Sequence, residues 1–185
     1  MKNKQSKDLV IDASVARSCG GEDAKHPTSK NCRKFLEAVL EICHSEICHS
    51  MVMTDKLKAE WDKHQSTFAR KWRRSMIARR KYKYCKNVTL SELRNKLEQL
   101  DIPHKTREAI WKDICLVEAA IATDKIIVSL DDKVRDYLVE VSENIPEVKL
   151  ILWLNPDKES NSIKWLEDGA ILENKRLLGY REESS

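Results

Sequence analysis

Short apolar runs alternate with amphipathic stretches along this chain, and the hydrophobic period changes at each boundary. LVIDASVA (9–16) is apolar throughout except for one acid, Asp12, as a buried strand would be. GGEDAKHPTSK (20–30) is loop chemistry. From Asn31 to about Cys48 the spacing is helical, with Leu36, Val39, Leu40, Cys43 and Ile47 on one face. MVM (51–53) predicts a second short strand. Thr54 and Asp55 then open a helix, one supplying a capping hydroxyl and the other an acid for the first turn. That helix runs through Leu57, Glu60, Trp61 and His64 and on into the segment beyond.

TLSEL (89–93) starts a helix that Pro103 breaks, and Thr106–Asp124 reads as one amphipathic helix striped by Ile110, Ile114, Val117 and Ile121. KIIVSLDD (125–132) is an apolar run closed by two acids. DKVRDYLVEV is a further helix, and VKLILWLNP (148–156) a last strand ended by Pro156. Strands that are apolar throughout and alternate with helices predict an α/β fold: three layers, α/β/α, around a short parallel sheet. Residues 1–156 form the main domain. Residues 157–185 form a C-terminal helical extension with one short helix, Ser162–Asp168, stopped by Gly169, and a mobile end at 181–185.

Composition narrows the class. With 185 residues the chain can bury one good core, and 41% hydrophobic against 35% charged residues describes a soluble, globular protein. No run approaches the roughly 20 apolar residues of a membrane span. MKNKQSKDLVIDASVA has too short an apolar core for a signal peptide, so the cytosol is the expected compartment. Six cysteines without a C-x-x-C pair read as scattered, reduced thiols.

Three acids stand where burial makes them expensive. Asp12 closes the first apolar strand, Asp131 closes Ile126–Leu130, and Asp113 flanks the apolar stripe of its helix. In a doubly wound sheet the carboxyl ends of strands are where ligands bind, and Asp12 and Asp131 both fall there. Carboxylates without a cationic partner nearby in sequence are most simply neutralised by Mg²⁺ or Mn²⁺. The plainer reading makes Asp12 and Asp131 helix caps.

Asp12 in VIDAS, Glu60 in KLKAEW, Asp113 in DICLVEAAIA and Asp131 in IIVSLDD together resemble the PIN-domain nucleases, over residues 8–156. The resemblance implies a PIN-like nuclease domain over 1–156 that uses metal to cleave RNA, with these four acids as the catalytic and metal-binding set. It also implies support for the first and last acids from Ser14 and Ser129. Glu118 rivals Asp113 as the third acid; five residues on a helix turn the face by about 140°, so both cannot meet one ion directly. Asp132 competes with Asp131 or supports it. A toxin of a toxin–antitoxin pair and an RNA-processing nuclease are both compatible, as is an inactive domain that keeps the fold and binds RNA or protein. Two other chemistries fit poorly. A haloacid-dehalogenase-type phosphatase needs a second Asp where Ser14 stands, and Gly20-Gly21 lacks the G-K-[ST] ending of a phosphate loop.

The net charge of +4 hides an asymmetry. Residues 63–91 hold no acid and read as a basic helical segment, while the remainder is net acidic. In FARKWRRSMIARRKYKYCK (68–86) the candidate RNA contacts are Arg70, Lys71, Trp72, Arg73, Arg74, Arg79, Arg80, Lys81 and Lys83, cations for phosphates and a ring for unpaired bases. An acidic antitoxin or other partner protein is the alternative occupant, and a homodimer is compatible.

EICHSEICHS (41–50) repeats one pentad. On a continuous helix His44 and Cys48 lie four apart and could share a metal. Structural zinc needs four ligands, and no second cluster completes the set. The repeat therefore reads as a tandem insertion lengthening a helix or its exit loop.

Overall fold

Leu9, Val10 and Ile11 are wholly sealed from solvent, and so are Met51, Val52, Met53, Ile126, Ile127 and Val128. Strands covered on both faces must carry apolar side chains at every position, which is why these runs do not alternate. The structure, a computed structural model, describes residues 6–44, 46–86 and 88–181. Its chain order is β1 (Asp8–Ile11), α1 (Ala13–Ser18), α2 (Pro27–Glu41), β2 (Cys43–His44), β3 (Ile47–Cys48), β4 (Ser50–Met53), α3 (Asp55–His64), α4 (Thr67–Ala78) and β5 (Tyr82–Tyr84). It continues through α5 (Ser91–Gln99), α6 (His104–Lys112), α7 (Ile114–Ile121), β6 (Ile126–Val128), α8 (Asp132–Ser142), α9 (Pro146–Lys149), β7 (Leu152–Leu154) and α10 (Ser162–Glu167).

The main sheet has the order β5-β4-β1-β6-β7, every neighbouring pair parallel. Helix α7 lies on β1 and β6 with α6 and α9 packed against it, and α2 gathers α1, α4 and α10. This is the expected three-layer α/β/α arrangement. From β1 the chain first builds outward to β4 and β5, then returns to the other flank for β6. The crevice where the order reverses therefore opens beside the carboxyl ends of β1 and β6.

Several sequence expectations need correcting. The helix from Asn31 stops at Glu41, and the repeated pentad folds as the antiparallel β2–β3 ribbon. Cys43 and Cys48 are joined by a disulfide, so the six cysteines are not all thiols; Cys19, Cys32, Cys85 and Cys115 are free. The expected single helix 106–124 breaks at Asp113, between α6 and α7. Helix α9 precedes β7, which is shorter than the 148–156 run.

The basic segment is not one helix. The Thr54 hydroxyl caps α3, which ends at His64, and the Ser66 hydroxyl starts α4 anew. Arg80 then takes a left-handed φ of 58°, and the chain turns into the edge strand β5. Beyond β7, α10 forms as expected and Gly169 follows at φ 90°. Leu177 bridges back to Leu152, so the tail packs onto the sheet. Of the expected mobile end only Arg181 lies within the described residues, and it pairs with Glu143 at 3.2 Å.

Candidate active site at the carboxyl ends of β1 and β6

Parallel pairing sets Ile11 opposite Val128, so the next residues in step are Asp12 and Ser129. The Asp12 amide donates to Val128 O at 2.9 Å, carrying the register one residue past the strands. Asp12 Oδ2 accepts from the Ser129 hydroxyl at 2.9 Å and from the Ser14 hydroxyl. Ser14 Oγ also accepts from the Leu130 amide at 3.2 Å, and Ser129 Oγ from the Asp131 amide at 3.1 Å. The two serines thus tie Asp12 to the backbone that presents Asp131. Among the described residues Asp12 Oδ1 accepts no hydrogen bond.

Glu60 arrives from a third segment. The neighbouring Trp61 is fully buried, and its indole Nε1 donates to Ile11 O at 2.8 Å, fastening α3 to the end of β1. Asp113 arrives from a fourth, at the break between α6 and α7. All four predicted acids, Asp12, Glu60, Asp113 and Asp131, line one pocket of about 390 Å³. Burial, then the nearby Asp12 charge, with smaller pushes from Asp131 and Glu60, raises the Asp113 carboxyl to about 6. The neighbouring Lys112 opposes this without cancelling it. The carboxylates are therefore close enough to repel one another, and their charge is not matched from within.

Asp131 plays two parts. Its Oδ1 caps α8 by accepting from the Val134 amide at 3.0 Å, while Oδ2 accepts no hydrogen bond among the described residues. Asp12 makes no side-chain cap of α1, so the capping alternative holds for one oxygen of one acid only. No group of three or more His, Cys, Asp or Glu side chains among the described residues is close enough to enclose a metal ion.

Glu118 and Asp132 lie elsewhere. Glu118 is wholly buried and held by Arg94, Nε to Oε1 at 2.6 Å and Nη2 to Oε2 at 2.8 Å, with the Leu90 amide at 2.9 Å. Asp132 accepts from Asn155 Nδ2 at 3.0 Å, pairs with Lys158, and faces a different cavity beside Trp153 and Arg176.

The predicted nucleic-acid contacts separate into two groups. Trp72 is buried, stacks on Trp61 at 6.0 Å between ring centres, and donates from Nε1 to Leu36 O at 2.5 Å. Lys81 is 1% exposed and donates to the Val39, Leu40 and Ile42 carbonyls at the end of α2. Neither can meet a ligand without unfolding. Arg73 pairs with Asp62 at 2.6 Å, Arg79 with Glu41 at 3.2 Å, and Lys83 with Asp8. Arg70, Lys71, Arg74 and Arg80 are exposed and form no ion pair among the described residues.

Sequence reasoning missed several residues of the pocket itself: Arg17, Lys63, His64, Lys112 and Cys115. His64 Nε2 sits 3.5 Å from Glu60 Oε2, a pairing the i, i+4 spacing signals. Burial, then the Asp113 charge, pushes the Cys115 thiol up to about 11, so it stays protonated and is a poor nucleophile. The repeated pentad supplies no metal ligands. Both of its cysteines are bonded to each other, and the buried His49 uses Nε2 on Leu166 O at 2.9 Å and Nδ1 on the Lys7 amide at 3.1 Å. No described helix is long and apolar enough to cross a membrane.

No protein-family model matches the chain, and no curated protein or solved structure matches it.

Proposed function

We propose that the protein is a metal-dependent endoribonuclease, PIN-like in its site, that hydrolyses phosphodiester bonds with Asp12, Glu60, Asp113 and Asp131. The observation that carries this reading is the convergence of four sequence-distant acids on one pocket, with Asp113 raised to about 6 by burial and by the others. Such a charge excess calls for a cation, and the donors are all hard carboxylate oxygens, the kind Mg²⁺ and Mn²⁺ take. The spacing suits an ion that keeps much of its water and touches one or two carboxylates, as Mg²⁺ often does. Asp12 through Oδ1, Asp131 through Oδ2, Glu60 and Asp113 would hold it. When bound, it supplies a water of lowered pKa and positive charge for the scissile phosphate.

The chain's own residues do the positioning. Ser14 and Ser129 fix Asp12 by one oxygen, and the Val134 amide fixes Asp131 by one oxygen. Arg17, Lys63 and Lys112 line the same pocket and place positive charge where a phosphate would enter. Cytosolic RNA is the substrate class. The toxin and RNA-processing roles share this chemistry, and an acidic antitoxin would dock through Arg70, Lys71, Arg74 and Arg80. The absence of a three-ligand metal cage among the described residues favours a second reading, an inactive RNA-binding or protein-interaction domain.

The test is incubation of a mixed RNA pool with Mg²⁺ or Mn²⁺ and either wild type or Asp12→Asn. The nuclease reading expects metal-dependent fragments that fall by roughly a hundredfold or more in the variant. Undiminished cutting by the variant refutes the site. RNA binding without cleavage in either metal selects the second reading.

A further inference from the structure

The pocket that holds the carboxylates does not end at them. A smaller cavity of about 130 Å³ shares Lys112, Asp113 and Asp131 with it and continues between α6 and α8. Its remaining walls come from Lys105, Ala109, Lys133, Val134 and Tyr137. Lys105, Lys112 and Lys133 are exposed, and none forms an ion pair or hydrogen bond among the described residues. Tyr137 is half-buried, and its hydroxyl likewise bonds to no described residue. This contrasts with the basic segment, where Arg73, Arg79, Lys81 and Lys83 are committed to Asp62, Glu41, backbone carbonyls and Asp8.

We propose that a single-stranded RNA, on leaving the carboxylate pocket, runs along the α6–α8 cleft with its phosphates on Lys105 and Lys133 and a base against Tyr137. Unpaired lysines beside a deep negative centre have little structural purpose, whereas a polyanion crossing that centre needs compensating cations close on either side. Arg17 and Lys63 supply them on the α1–α3 side, and Lys105 and Lys133 on this one. The three lysines come from α6 and α8, far apart in sequence and joined only by the fold. A tyrosine ring between them offers the stacking surface that unpaired bases accept regardless of sequence. A duplex presents no free base face to such a ring, so the cleft selects single strands.

The inference rests on the nucleic-acid reading of the pocket but is tested by binding, not cleavage. Anisotropy of a fluorescein-labelled 12-nucleotide oligouridine is measured without divalent metal, over a range of salt, for wild type and each variant. Lys105→Ala/Lys133→Ala should weaken binding about tenfold or more and lower the salt slope by about 2, one unit for each phosphate set free. Arg70→Ala/Arg74→Ala, on the outer face of α4, should leave the slope within error. Tyr137→Leu should weaken the single strand about tenfold and leave a 12-base-pair RNA duplex unchanged, and Tyr137→Phe should restore wild-type affinity. All substituted lysines and arginines are exposed and unpaired, so folding is not at stake. An unchanged slope for the α6–α8 double variant, an equal weakening in the α4 variant, or no measurable wild-type binding overturns the cleft. Cleavage that persists while the double variant binds normally sinks the cleft and spares the nuclease; a normal cleft with no cleavage does the reverse.

Discussion

Arg94 clasps Glu118 with both arms of its guanidinium, 2.6 Å and 2.8 Å, inside a pocket where the Glu118 side chain is wholly buried. The Leu90 amide supplies a third bond at 2.9 Å, and Arg94 lies over the Trp111 ring at 5.3 Å. Burial alone would raise the Glu118 carboxyl, yet those bonds hold it below its ordinary value, whereas Asp113, five residues earlier, is raised. The two candidates for one role have opposite electrostatics: one is neutralised within the protein, the other is not.

Glu118→Gln should therefore be a stability variant. It leaves Arg94 half-buried without its anion, a change worth about 3 kcal/mol. Urea denaturation should record that loss while cleavage per folded molecule stays near wild type. Asp113→Asn should do the opposite and abolish cleavage without loss of stability.

The pH dependence of the metal-free protein should bear on the same acid. Asp113 sits at about 6 when folded, above its ordinary 3.8. Its ionisation therefore opposes folding, and stability falls as pH rises from about 4 through 6. In Asp113→Asn that part of the slope should vanish, so the variant should melt later than wild type at pH 8 in chelator. An unchanged or steeper profile would contradict the electrostatics of the pocket.

Metal addition should reverse that repulsion. At tenfold excess over its dissociation constant a bound ion stabilises the fold by about 1.4 kcal/mol, roughly 3–5 °C in Tm for a chain of this size. Thermal melts with Mn²⁺ and with chelator should show the gain in wild type and lose it in Asp12→Asn/Asp131→Asn.

His49 should govern a separate acid transition. Its Nε2 hydrogen goes to Leu166 O and its Nδ1 accepts from Lys7, so the folded protein demands the neutral ring. Burial holds its folded pKa below 6.5. The unfolded chain then binds the proton more readily, and stability present above about pH 6.5 is lost as pH falls. Melts between pH 7.5 and 5 should show this slope in wild type and lack it in His49→Gln.

Lys81 marks where charge counting misleads. Its ammonium binds three carbonyls at the end of α2, so Lys81→Met should cost about 3 kcal/mol by stranding them. RNA affinity measured on folded protein should not move.

The strands, their burial and the convergence of Asp12 and Asp131 were legible because apolar runs closed by acids leave few alternatives in a parallel sheet. Glu60 was legible from its place one residue before Trp61 on a capped helix. The end of α4 was not. Helices usually stop at glycine, yet here Arg80 adopts the left-handed turn, so β5 was hidden inside a basic run. Trp72 and Lys81 were misread because composition records that a residue is aromatic or charged, not which way its helix faces or which carbonyls lie within reach. Lys105, Lys112 and Lys133 escaped notice for the converse reason: each sits among other charges and gains meaning only from its neighbours across α6 and α8.

The tail's return to β7 has a consequence for self-association. Leu177 occupies the outer side of Leu152, so that flank of the sheet has no free row of amides and carbonyls to offer another chain. The opposite flank, β5, pairs only with β4 and stays open, with Lys83 and Tyr84 facing solvent. Strand-to-strand dimers or fibrils of this protein would have to start there, and the lysine is the guard against them. Cutting the chain before the bridge would bare a second sticky border made of Leu152, Trp153 and Leu154, and such a fragment should precipitate where the longer chain stays dispersed.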